Sequence, residues 1–100
     1  MTPTQNPQNK PVGFAIELLP DTELGHAMLI VEDEERHYEP VGIALTIREA
    51  KEMAQNDMRS RMDRVDRGED GVLCPNEYKL WARGLWGIQQ VAATWGISDL

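Results

Sequence analysis

TIREAKEMAQNDMRSRMDRVDR, residues 46–67, decides the fold, because it reads as one long amphipathic helix. Thr46 is followed three residues later by Glu49, the spacing of a capping box. In that arrangement the hydroxyl accepts from the Glu49 amide and the carboxylate reaches back to the Thr46 amide. Ile47, Ala50, Ala54, Met58 and Val65 recur at helical steps, with Met53 and Met62 beside the stripe. Neither Gly nor Pro interrupts the run before Gly68, which can take the left-handed conformation that ends a helix. Glu49 and Glu52 lie near the start and Arg61, Arg64 and Arg67 near the end, in the sense that suits the helix dipole. Asp57 with Arg61, Arg59 with Asp63, and Asp63 with Arg67 add pairs four apart. Each contributes only a few tenths of a kcal/mol, so the apolar stripe must dock on something else.

Outward from the helix, the chain reads as strands. Val12 to Leu19 alternates with Phe14, Ile16 and Leu18 on one side, and HAMLIV (26–31) is an apolar run of strand length. The Pro20–Gly25 link between them favours an antiparallel hairpin. Arg36 to Gly42 reads as a connection, and Val41 to Leu45 either as a brief further strand or as an apolar lead-in to the helix. Beyond the Gly68–Gly71 turn, Trp81, Leu85, Ile88, Ala92 and Trp95 fall at helical steps, but Gly84 and Gly87 each cost about 1 kcal/mol inside a helix. A hairpin suits this stretch better. Tyr78–Arg83 and Ile88–Trp95 would be its strands and Gly84–Gly87 its turn, with Tyr78, Leu80, Ala82, Val91, Ala93 and Trp95 on one face. The expected architecture is α+β: ββαββ, one long helix packed on a small antiparallel sheet of about four strands. Residues 1–11, rich in Pro, Gln and Asn, read as a flexible tail, and residues 12–98 as a single domain.

With 100 residues, the chain is long enough for one core but not for two. No apolar run approaches the ~20 residues that a membrane span needs, and residues 1–11 do not form a secretory signal. One cysteine, Cys74, excludes an internal disulfide and suits a reducing cytoplasm. The formal charge of −7 opposes a general affinity for nucleic acid.

The search for chemistry is mostly negative. Phosphate-binding glycine loops, a nucleophile elbow, CxxC and HExxH are all missing from the sequence. His37 beside Glu34, Glu35 and Glu39 is the nearest approach to a metal constellation, but an exposed acidic turn is the better account of those residues. Cys74 reads as a small buried hydrophobe and not as a nucleophile. No catalytic residue, metal ligand or cofactor is therefore assigned. Trp81, Trp86 and Trp95 are dense for so short a stretch, and exposed Trp near Arg has the composition of a protein contact. Trp81, Arg83 and Trp86 are the candidate binding residues. The expected function is a non-enzymatic cytoplasmic module that binds a protein partner or itself as a homodimer. The alternatives are a small metal- or ligand-dependent enzyme using His37 and the acidic turn, or a regulator touching nucleic acid through its Arg-rich helix.

Overall fold

The computed structural model describes residues 25, 27–83 and 89–100. In chain order these form β1 (Ala27–Glu32), β2 (Tyr38–Ala44), α1 (Ile47–Asp66), β3 (Glu77–Arg83) and β4 (Gln89–Gly96), then a single 3₁₀ turn at Ile97–Asp99. The four strands make one antiparallel sheet in the order β2-β1-β3-β4. The α+β architecture expected from the sequence is thus present, with one helix on a four-stranded sheet. Because β1 is antiparallel to both neighbours, β2 and β3 run in the same direction. α1 is the crossover between them and passes over β1.

The helix begins and ends where its sequence says. Thr46 accepts from the Glu49 amide at 3.0 Å, while the Glu49 carboxylate reaches one residue further back than expected, to the Leu45 amide at 2.7 Å. At the other end Gly68 is left-handed, with φ of 81°. Its amide donates to Val65 and that of Glu69 to Arg64, the paired bonds of a Schellman stop.

The strand expected over HAMLIV is present as β1. The partner of β1 is Tyr38–Ala44, so the reading of residues 36–42 as a connection is corrected. Strand 12–19, by contrast, lies outside the described residues. Pro40 and Gly42 hide β2 in the sequence, and its position explains why both are tolerated. Among the described residues β2 is an edge strand, and Val41 is bulged between Gly42, opposite Leu29, and Pro40, opposite Ile30. A Cβ on Gly42 would come within 2.8 Å of the Met53 methyl, so glycine also lets α1 lie close to this edge.

The face turned to α1 holds the core: Ala27, Leu29, Val31, Ala44, Tyr78, Leu80, Ala82 and Trp95, closed by Ala50 and Ala54 of the helix. Farther along α1 this stripe turns polar. Asp57 and Arg61 continue the Ala50–Ala54 row, while Met62 and Val65, expected on or beside the stripe, are exposed. Arg61 is only 8% exposed and donates to both Asp57 and Glu39 at 2.7 Å. The buried Tyr78 hydroxyl donates to the same Asp57 oxygen. Burial works against the Arg61 charge, but the two carboxylates outweigh it and hold the guanidinium above its ordinary pKa. The network ties the far half of the helix to edge strand β2 and central strand β3, where the apolar stripe no longer does.

Candidate interaction surface

The opposite face of the sheet is built from the alternate residues of the same strands. Direct pairings place Ile43, Met28, Trp81 and Val91 in one row that crosses all four strands. The next row is Pro40, Ile30, Lys79 and Thr94, and the one beyond it Tyr38, Glu32, Glu77 and Gly96. This face is therefore divided. The first, apolar row lies between Arg83 and Gln89, paired on one side of it, and a charged half on the other, where Lys79 is 3.3 Å from Glu32 and 3.8 Å from Glu77.

β1 carries a readable signal for this surface. Ala27, Leu29 and Val31 point to the core, and Met28 and Ile30 point the other way, so the strand is apolar on both sides. Such a run is typical of strands covered on both faces. Here α1 covers one face, whereas Ile43 and Val91 on the other are 49% and 42% exposed. A shallow groove of about 450 Å³ runs across that outer face between Met28, Ile30, Glu32, Tyr38, Trp81 and Gln89.

Trp81 lies at the centre of the apolar row, half-buried and on the side opposite Tyr78, Leu80 and Ala82. Arg83 is exposed at the end of β3. Trp86 lies outside the described residues, as does His26. Trp95 is buried on the core face beside Tyr78. Val91 corrects an expectation. Ala92 is bulged between Ala93, opposite Leu80, and Val91, opposite Trp81, and the extra residue turns Val91 onto the outer face. Sequence reasoning passed over Met28, Ile30, Ile43 and Val91. The unbroken apolar run of β1 could have revealed the first two, but a bulge leaves no periodic trace.

The polar constellations are satisfied elsewhere. One Asp33 oxygen accepts from the Glu35 and His37 amides at 2.9 Å, and the other lies 3.0 Å from His37 Nδ1, so the carboxylate organises the β1–β2 turn. Desolvation is the largest single effect and opposes its ionisation, but the hydrogen bonds together prevail and hold its pKa below the ordinary value. Asp33, Glu35 and His37 offer converging ligand atoms. Glu39, grouped with His37 in the sequence, is instead bound to Arg61. Cys74 is exposed, contrary to expectation, and it is its neighbour Pro75 that is buried. The helix arginines are engaged as well: Arg59 with Asn56, Arg64 with Glu69, and Arg67 with Asp63. No helix among the described residues is long and apolar enough to cross a membrane. No protein-family model matches the chain, and no match to it was found among curated proteins or solved structures.

Proposed function

We propose that the chain is a non-enzymatic, cytoplasmic protein-interaction module that works through the outer face of its sheet. Trp81 is its anchor and self-association its simplest form. One observation carries this reading: an apolar row spans all four strands on the face that α1 does not cover. A central, half-buried Trp among aliphatic neighbours with a charged border has the anatomy of an interface core and rim. A lone, exposed cysteine accords with a reducing compartment.

The alternatives draw less support. A metal-dependent enzyme would rest on Asp33, Glu35 and His37, of which both Asp33 oxygens and His37 Nδ1 already hold the turn. A nucleic-acid contact would need arginines of which Arg61, Arg64 and Arg67 are already paired with Asp57, Glu39, Glu69 and Asp63, on a chain of charge −7.

A photo-reactive benzophenone amino acid placed at position 81, with position 52 on the exposed side of α1 as control, tests the reading. Position 81 is expected to give discrete adducts in cells and position 52 none. Equal labelling from both positions, or none from either, would overturn it.

A further inference from the structure

The proposed surface can be given an occupant. Resting on the reading above, we infer that the outer face is covered by the same face of a second copy of this chain, about a two-fold axis along the row Ile43–Met28–Trp81–Val91.

Three observations lead there. The first concerns the edges, which are the other way for a sheet to associate. Among the described residues each edge strand carries a bulge, at Val41 in β2 and at Ala92 in β4, and β2 adds Pro40, which has no amide to donate. Bulges and prolines break the regular ladder that a second chain would extend. Association through strand pairing is thus discouraged at both edges, and the face remains.

The second is the pattern of charge on the face, which selects one symmetry. An axis parallel to the strands would lay Glu32 of one copy over Glu77 of the other and put Ile30 against Lys79. Like charges and an apolar-on-ammonium contact make that arrangement unfavourable. An axis along the apolar row sets Trp81 on Trp81 and Met28 on Met28. The Glu32 and Glu77 ends then project past opposite ends of the contact, and Lys79, already bridged to both carboxylates, falls at the margin over the partner's Arg83. No charged residue lies on the row, so closing it strands none. Strands of the two sheets then run nearly antiparallel, compatible with aligned sandwich packing.

The third is size. Four strands about 4.8 Å apart and six residues at ~3.3 Å make a face of roughly 19 by 20 Å. In projection this is about half of the ~800 Å² per partner of a standard interface. The dimer is accordingly a weak one, in equilibrium with monomer at micromolar concentrations.

Analytical ultracentrifugation of the full chain over micromolar to millimolar concentrations tests this. The weight-average mass is expected to climb from 11.3 kDa toward twice that value. Added salt should tighten association, because it screens two chains of like net charge. Trp81→Glu is expected to abolish the dimer. Ile43→Glu, at an exposed edge position that the fold tolerates more readily, should weaken it at least tenfold with an unchanged circular dichroism spectrum. Glu52→Gln, on the exposed side of α1 and away from the contact, should change the dissociation constant less than threefold. A mass that stays at 11.3 kDa throughout, or a dimer indifferent to Ile43→Glu, overturns the inference. The crosslinks from position 81 separate the two levels. A monomer whose position 81 reacts with another protein, or with residues 12–19 of its own chain, removes the second copy but keeps the surface. A monomer that gives no adduct removes both.

Discussion

The Tyr78 hydroxyl donates to the Asp57 carboxylate across 2.7 Å, joining the centre of the sheet to the middle of α1. The same carboxylate oxygen receives the Arg61 guanidinium, so one atom serves two buried donors. Removing the phenol and removing the carboxylate are therefore not equivalent. Tyr78→Phe deletes one donor and leaves the Asp57–Arg61 pair intact, with an expected cost of about 1.5 kcal/mol. Asp57→Ala leaves the Tyr78 hydroxyl without its acceptor and Arg61 with Glu39 alone, with an expected cost of about 3 kcal/mol. Urea unfolding of the two variants checks the ranking, and a larger loss for Tyr78→Phe would contradict the arrangement.

The same contact makes one of the two tyrosines resistant to alkali. Burial first, and then the adjacent Asp57 charge, push the Tyr78 hydroxyl far above the ordinary tyrosine value of 10.0. A raised folded-state pKa means that folding favours the protonated phenol. This contribution is complete below the unfolded value and is lost as pH rises toward the folded one. At about pH 11, one unit above the free-tyrosine range, the folded protein should show no more than half the tyrosinate absorbance of the unfolded chain. The remainder is expected to appear only with loss of the circular dichroism signal. Full absorbance in the folded protein would place the Tyr78 hydroxyl in water.

Where β2 passes beneath α1, the glycine at position 42 sets how closely helix and edge strand approach. The atom that a new Cβ would meet is the tip of Met53, which is flexible, so the damage should scale with the size of the added group. Gly42→Val is expected to cost about 1–3 kcal/mol, as overpacking does. In a Met53→Ala background much of that cost should vanish, because the clashing methyl is gone. A double-mutant cycle by urea unfolding measures the coupling, and strictly additive losses would show that the strain lies elsewhere.

What was legible in the sequence was local. The Thr46 cap, the Gly68 stop and the two-residue alternation of β3 rest on spacings within a few positions, and these the fold realises. β2 was illegible because Pro40 and Gly42 contradict strand propensity, and only an edge position with a bulge admits both. The Arg61–Glu39 bond spans 22 residues and leaves no periodic mark. It also explains why Met62 and Val65 did not serve as core: the polar network took the place of the stripe. For the surface, Trp81 stood out by residue type alone. Its neighbours Met28, Ile43 and Val91 become visible only when strand register and the Ala92 bulge are known.

The β1–β2 turn supplies the acid counterpart to Tyr78. Asp33 binds the Glu35 and His37 amides and the His37 ring, and its folded-state pKa lies below the ordinary 3.8. A depressed carboxyl pKa contributes stability that is complete above the unfolded value and is lost as pH falls through the folded one. Amide shifts of Glu35 and His37, followed by NMR from about pH 6, well above the carboxyl range, to about pH 2, at its lower edge, should move together. Their common midpoint is expected below 3.8. In Asp33→Asn the amide oxygen can still accept both backbone bonds, so the turn should persist while the shared titration disappears. If the two amides titrated apart, or kept their midpoint in the Asn variant, the turn would be held by some group other than Asp33.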